Sequence, residues 1–468
     1  MNKRLISGAV IFSLAAGCAV GPKYRKPVVE SPAKFRGGDV AAASAGASLA
    51  DLKWVEVFKD EQLQELIRTA LVNNYDMNQA LARIQAARAN LGIARADQFP
   101  EITAGTGLTT LRQSSTGQFA LPAGFNRDRT FGSVVLNLLS FELDVWGRVR
   151  RQKEAARADL LNAEETRKAL MTTVVGDVSA AYFNLLELDM ELEIARDTLK
   201  TRQESLNLVK ARQRGGVATM LDVRQAEQLV YAAAQTIPDI ERLIEQTENR
   251  INLLQGKDPG PVPRGRSLSE QEQPPDAPAG LPSSLLERRP DIRAAEAALI
   301  AATANIGVAK AAYFPRISLT GFLGGQSNQL AGLFSGPGGA WNFAPQVTLP
   351  IFNAGRIKSG VKFTEAQRRL ALAQYQQAIK NAFREVSDAL VQYRKVKEIR
   401  AQQEQLVTTL QDRSRLAYLR YQGGVDTQLN ALDADRDLFA AELSLAQTKR
   451  DELLALVQLY KALGGGWQ

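Results

Sequence analysis

The sequence predicts a membrane protein of α+β class, with a few short strands suited to a shared barrel and very long helical hairpins. Three observations predict it. The chain repeats itself, each repeat carries two short alternating segments bounded by Gly-rich stretches, and each then runs through a long proline-free helical stretch, 148–214 or 355–422.

The duplication comes first because it orders everything else. "ANLGIARADQFPEI" begins at Ala89 and "ANIGVAKAAYFPRI" at Ala304, 215 residues later. "NNYD" (73–76) answers "RRPD" (288–291), "WGRV" (146–149) answers "AGRI" (354–357), and "RGGVATML" (214–221) answers "QGGVDTQL" (422–429). The offset falls to 208 after the alternating segments, so the seven-residue length change sits between Pro100 and Gly147 against Pro315 and Gly355. Loops tolerate such changes, and the pattern reads as an internal repeat.

Each half has the same element order. A helix of about 30 residues is expected to end at Pro100 or Pro315, because proline disfavours helical geometry in the residue before it. Strands are expected at about 101–112 and 131–144, and at about 316–326 and 341–351. In "WNFAPQVTLPI", Trp341, Phe343, Val347, Leu349 and Ile351 share one face and Asn342, Gln346 and Thr348 the other. Pro345 and Pro350 fit a central strand poorly. The first strands alternate more weakly, and stretches such as 327–339, rich in Gly, Ser, Pro and Asn, read as loops.

The long helix from Arg148 to Arg214 has only Gly176 as a possible interruption, and at about 1.5 Å per residue it spans on the order of 100 Å. The stretch 355–422 predicts a second. Both end in Gly-Gly-Val, a left-handed cap and turn, and another helix follows each, so each half holds a helical hairpin, turning at 214–218 and 422–426. Leu185, Leu188, Leu192, Ala195, Leu199, Leu206 and Val209 follow the 3,4 spacing of a coiled-coil seam, broken only at Arg202. The repeats therefore occupy 59–255 and 283–463, with a Pro/Gly-rich linker at 256–282 and a tail at 464–468.

Composition excludes most chemistry. The chain has no His and one Cys, Cys18. Ser-His-Asp and Cys-His catalysis, His/Cys zinc sites and structural disulfides are ruled out. No carboxylate pair stands out from the helical charge pattern, and five Met are few for soft-metal binding. The expectation is a protein that is not an enzyme, with no cofactor and no metal. The net charge of +8 comes from Lys and Arg interleaved with Asp and Glu, as in 148–168, the pattern of solvated helix faces rather than of nucleic-acid binding.

At the N-terminus, Lys3 and Arg4 precede the apolar stretch "LISGAVIFSLAAGC", an export signal expected over 1–17. Its end resembles a bacterial lipoprotein box, in which Cys18 becomes the lipidated (palmitate-bearing) first residue of the mature chain and begins an extended segment to 58. Ala19 rather than Asp follows, which by resemblance to sorted lipoproteins favours the outer membrane. No later stretch approaches 18 continuous apolar residues, so spanning is expected from strands closed into a barrel.

Four alternating segments cannot close a membrane barrel alone, since the smallest have about eight strands. Open edges in lipid cost several kcal/mol per unpaired group, so several copies must share one barrel. Here the chain resembles the bacterial outer membrane factors of TolC type, closest to their OprM-like lipoprotein branch. The resemblance rests on "GCAVGPKYRKP" (17–27), "WVEVFKDEQLQELIRTAL" (54–71), "AGLPSSLLERRPDI" (279–292) and "LYKALGGGW" (459–467).

The resemblance implies a homotrimer with a twelve-stranded outer-membrane β-barrel, four strands from each chain. A long periplasmic helical barrel continues it, with a belt formed by the shorter helices and linker. It implies an exit duct for antibiotics and other small molecules in tripartite efflux, working with a periplasmic adaptor (a membrane fusion protein) and an inner-membrane pump of RND type. It also implies a periplasmic aperture at the helical tip, where Leu429, Asp433 and Arg436 line or brace the opening. Asn430 stands where some relatives have a second acid. Asp222 and Arg224 are the first-half counterparts and are expected to pair across the tip. The turns at Gly215, Gly216, Val217, Gly423, Gly424 and Val425 are the docking points for the adaptor. Lys210, Arg212, Arg214, Arg413, Arg415 and Arg420 cluster near them and suit an acidic or polar partner surface. The spacing of Asp433 and Arg436 also fits a solvated i,i+3 pair. Two other readings remain: the duct of a type I protein secretion system, and a lipid-tethered trimeric coiled-coil spacer without a pore.

Overall fold

The structure, a computed structural model, describes residues 19–30, 32, 35–36, 48–116, 124–272 and 284–467; Cys18 and the export signal lie outside the described residues. In chain order the elements are α1 (Trp54–Val57), α2 (Glu61–Asn73), α3 (Tyr75–Ala96), β1 (Ile102–Arg112), β2 (Asp128–Glu142), α4 (Arg148–Arg214) and α5 (Met220–Leu254). The second half follows with α6 (Leu285–Arg288), α7 (Pro290–Ala311), β3 (Arg316–Ser327), β4 (Gly339–Thr348), α8 (Arg356–Gln422) and α9 (Gln428–Ala462). The duplication holds at the level of length: α3 and α7 have 22 residues each, α4 and α8 have 67, α5 and α9 have 35.

The single helix expected before each Phe-Pro is in fact two. Asn74 breaks the first: its side chain accepts hydrogen bonds from the N–H groups of Asp76 (2.9 Å) and Met77 (3.2 Å), an N-cap for α3. At the equivalent break Arg289 has extended backbone and Pro290 opens α7, where its missing N–H costs nothing. Gly176 does not interrupt α4. A β-carbon there would lie 3.5 Å from Lys461 Cδ and 3.7 Å from Val457, so the glycine serves close packing against α9.

Two compact units result. One holds all four strands with 84–162, 295–375 and the described residues up to Pro27. Its strands form one antiparallel sheet in the order β1-β2-β3-β4. β2 starts earlier than expected because Asp128, Arg129 and Thr130 continue the ladder against Arg112, Leu111 and Thr110. β4 stops at Thr348, two residues short of Pro350. Pro345 sits opposite Leu319 on β4, which within the chain pairs with β3 alone.

The register sorts the sheet into two faces. Ile102, Leu138, Leu136, Leu323, Leu319, Trp341, Phe343 and Val347 share one; Thr103, Asn137, Glu142, Arg316, Ser318, Asn342, Gln346 and Thr348 share the other. The apolar face is uncovered, with Trp341 74% and Ile102 66% exposed.

Below the sheet, the start of α4 packs through alanines against both flanking helices, Ala155 and Ala158 on Ala301 and Ala304, and Ala156 on Leu91 and Ala94. Small side chains let the helix axes approach closely. Trp146 stacks on Phe314 at 4.7 Å and its Nε1 donates to the Pro315 carbonyl at 2.8 Å, so the Phe-Pro of the second half is pinned by the Trp-Gly-Arg of the first. Val20, two residues after Cys18, donates its N–H to the Trp146 carbonyl at 3.0 Å.

The other unit holds 28–83, 163–294 and 376–468 as far as these are described. The predicted seam is its spine near the hairpin turn: Leu206 and Val209 pack with Val223, Ala226 and Val230 of α5, and Leu199 lies against them. Each such side chain contributes roughly 1.5–3 kcal/mol on burial. Asp60 ties the linker in. Its Oδ1 caps α2 by accepting from Gln62 and Leu63 N–H, and its Oδ2 accepts from Tyr182 Oη (3.1 Å), Arg266 N (3.1 Å) and Gln271 Nε2 (2.9 Å). Burial works to raise this carboxyl's pKa, but the bonds from Gln271, Leu63, Arg266 and Tyr182 outweigh it and hold the group below its ordinary value.

α4 and α7 each contain a window apolar enough, by length and composition, to cross a membrane, but 61% and 50% of those windows are buried within the chain. They are packing surfaces.

Candidate functional site

The two hairpin turns are built alike. Gly216 and Gly424 have φ of +79° and +74°, the left-handed conformation that costs an L side chain roughly 1–2 kcal/mol. In the first turn Gly215 N–H donates to Ala211, Gly216 to Gln213 and Val217 to Arg212; in the second Gly423 donates to Leu419, Gly424 to Tyr421 and Val425 to Arg420. The bonds to Arg212 and Arg420 close a Schellman-type cap and satisfy the last helical carbonyls. Val217 (69%), Leu221 (66%), Val425 (68%) and Leu429 (51%) are left exposed around the turns.

The restarts differ. Thr219 and Asp222 form a capping box, with Asp222 Oδ2 accepting from Thr219 N at 2.7 Å and Asp222 N–H donating to Thr219 Oγ1 at 3.2 Å. In the second turn Asp426 takes over: it accepts from Thr427 N (2.8 Å), Asn430 Nδ2 (2.7 Å) and Arg420 Nε (3.0 Å). The bond from Arg420 holds its carboxyl below the ordinary range. Asn430 is thus the amide partner of an acid four residues earlier.

Asp433 pairs with Arg436 on the same helix at 3.2 Å, and the two side chains are 40% and 62% exposed. Arg436 also reaches Asp437, which in turn accepts from Arg413 of α8 at 2.7 Å; that bond from Arg413 lowers the Asp437 carboxyl. The expected pairing of Asp222 and Arg224 with the second half is not what their side chains do. Asp222 caps its own helix, and Arg224 binds Glu227 at 2.7 Å together with Lys210 at 3.1 Å. Those bonds, from Lys210 first, hold Glu227 low. Only the Asp222 carbonyl reaches across, accepting from Gln428 Nε2 at 3.3 Å.

The basic cluster is likewise largely engaged. Lys210, Arg413, Arg415 and Arg420 bind Glu227, Asp437, Asp412 and Asp426. Arg212 lies over the Tyr421 ring at 4.5 Å and donates to its carbonyl at 3.3 Å. It offers a partner far less free positive charge than the sequence implied.

What joins the halves most firmly went unrecognised as a pair. Arg202 Nε donates to Asp435 Oδ2 at 2.7 Å, Nη1 donates to the Leu229 carbonyl at 3.0 Å, and the guanidinium lies 5.0 Å from the centre of the Phe439 ring. The signal was the break in the seam at Arg202; its meaning needed a partner on α9. Farther from the turns, Glu187 and Glu191 are buried one turn apart on α4. Gln447 donates to Glu191 at 2.9 Å and Arg450 pairs with Glu187 at 3.3 Å. Burial first, and Glu191 second, push the Glu187 carboxyl up to about 7 against the pull of Arg450. Among the described residues no group of three or more His, Cys, Asp or Glu has the geometry to hold a metal ion.

A short sheet with one lipid-suited face and, in the other unit, twin helical hairpins with matched turns define a class: the outer-membrane ducts. The chain belongs to the outer membrane efflux protein family, whose profile matches residues 66–257 and 281–465. It is 39% identical over its whole length to the probable efflux pump outer membrane protein TtgC of Pseudomonas putida, covering 96% of that protein. It is 35% identical to the cation efflux system protein CusC of Escherichia coli, with 99% of both chains covered. Among solved structures it resembles the open state of the MtrE outer membrane channel of Neisseria gonorrhoeae, at 32% identity and a TM-score of 0.86, covering 96% of this chain and 99% of that one. The chain is an outer-membrane efflux channel with a periplasmic helical extension.

Proposed function

We propose that three copies share one twelve-stranded barrel, anchored through a lipid on Cys18, and form the passive exit duct of a tripartite efflux system with an RND-type pump. The observation that carries this is the sheet itself. Its order leaves β1 and β4 each with one unpaired edge, and one face exposes Ile102, Leu136, Leu323, Trp341, Phe343 and Val347. In lipid the face is favourable and the edges are not, so pairing β4 of one copy with β1 of the next removes the cost. The other face, with its Thr, Ser, Asn and Gln, then lines a wet lumen.

The adaptor docks at the two Gly-Gly-Val turns. Their matched geometry offers two similar sites per chain, each with exposed valine and leucine for contact. Asp433 and Arg436, with Leu429, form the aperture, and Asp222 and Arg224 stiffen the neighbouring hairpin through its cap and Glu227. The relatives' names differ in cargo, one being a cation efflux protein; this fits cargo chosen at the pump, with the duct biasing only how small ions pass.

The test is single-channel conductance of the purified protein in a planar bilayer, together with chemical cross-linking. Trimers that conduct support the reading. Folded trimers that never conduct support the tethered spacer instead. Loss of polypeptide export on deletion, with drug efflux intact, points to protein secretion.

A further inference from the structure

We propose that the base of the barrel holds an anion-contacting site, built by Arg148 and Arg316 on Glu142 with Arg356 lining the same cavity, that favours passage of small anions and anionic solutes. The inference rests on the reading above, in which the polar face of the sheet lines the lumen.

Charge on the sheet is confined to its two ends. β1 carries only Arg112, β2 only Asp128, Arg129 and Glu142, β3 only Arg316, and β4 none. Arg112 and Asp128 pair with each other at the loop end, at 3.7 Å. By register Arg129 lies on the polar face at the loop end, opposite Leu111; the stretch between the ends is neutral, so the field next to the helices is set at the base. There a cavity of about 620 Å³ is lined by Ser140, Glu142, Arg148, Arg316, Ser318 and Arg356, among others.

Glu142 is the one carboxylate in this cavity not neutralised elsewhere. Asp144 is taken up by Arg150 at 3.1 Å and by the N–H groups of Val149 and Arg150. Glu142 accepts from Arg148 Nε (2.8 Å) and Nη2 (2.9 Å), and Arg316 Nε lies 3.2 Å from its Oε2. Arg148 and Arg316 meet on Glu142, and Arg356 lines the same cavity without a carboxylate partner of its own in it, which leaves the cavity positive. Arg316 touches the carboxylate with Nε, and 62% of its side chain remains exposed, so its planar fork is available to an oxyanion.

The helices bring in two of these arginines. Arg148 and Arg356 are the first residues of α4 and α8, and neither helix has an acid in its first turn. A helix N-terminus is already positive and ordinarily attracts acids; at α4 Asp144 meets that need, and Arg148 turns to Glu142. The two arginines are the repeated Gly-Arg of "WGRV" and "AGRI", and the fold brings both to one cavity. The end of α4 is capped by the Asp144 carboxylate, so the field that a passing anion would meet comes from the guanidinium groups.

The experiment is the reversal potential of single channels under a KCl gradient, for wild type, Arg316→Gln, Arg316→Glu and Arg316→Lys. Arg148 still holds Glu142 in each variant, so the junction keeps its brace. The chloride-to-potassium permeability ratio should fall about twofold in Arg316→Gln and further in Arg316→Glu, with Arg316→Lys near wild type. The difference should shrink at 1 M salt, where the Debye length is about 3 Å rather than about 10 Å at 0.1 M. Unchanged ratios in conducting Gln and Glu variants overturn the site and leave the duct standing. Wild-type trimers that do not conduct overturn the duct reading, and the site with it.

Discussion

Arg202 of α4 and Asp435 of α9 stand 233 residues apart in the chain, yet meet at 2.7 Å with side chains 4% and 9% exposed. A charge pair this deep adds little net stability, but removing one partner strands the other. Arg202→Met should therefore destabilise by about 3–5 kcal/mol, and Arg202→Met/Asp435→Leu should recover most of the loss. Thermal melts of the four proteins of this cycle measure it; a double-variant loss equal to the sum of the two single losses would refute a direct coupling.

Asp433 is the contrasting case. Its pair with Arg436 is half exposed, and such pairs contribute about 0–1 kcal/mol. Asp433→Ala should leave stability within about 0.5 kcal/mol of wild type while raising resting conductance, because a carboxylate ring at the aperture would be lost. Identical conductance in the two proteins at the same salt removes Asp433 from the gate.

The turns make a sharper test of geometry. Gly424→Ala should cost roughly 1–2 kcal/mol through its positive φ. Gly423→Ala, at the adjoining glycine, which lacks the positive φ, should cost much less. Limited proteolysis at the turn compares them: faster cleavage is expected for Gly424→Ala only.

Glu187 gives the chain a pH dependence. Its folded pKa, about 7, lies above the ordinary 4.5. Between those values the folded state binds the extra proton, so stability is full below about pH 4.5 and declines as pH rises toward 7. Glu187→Gln should flatten that slope and raise the melting point at pH 8 by about 2 °C. A slope identical to wild type would show that the carboxyl does not titrate there.

Much of the fold was legible because the determining signals are local. The Phe-Pro stops, the alternation around Trp341 and the Gly-Gly-Val turns act over a few residues, and the repeat confirmed each by stating it twice. The misjudged points had competing local causes: Asn74 reads as helical until its side chain is seen capping α3, and Gly176 reads as a break until α9 is seen against it. Cys18 remains a reading of the sequence.

By itself, the sequence determined a duplicated chain of strands and long helical hairpins, too few strands to close alone, and no His for a Ser-His-Asp triad or a His zinc site. Tertiary structure alone decided which charges meet. The pairing of Arg202 with Asp435, the meeting of Arg316 with Glu142, and the three bonds that Tyr182, Arg266 and Gln271 give Asp60 join residues from distant parts of the chain. Periodicity fixes which face a side chain occupies. The partner opposite that face is set only when the helices and strands pack.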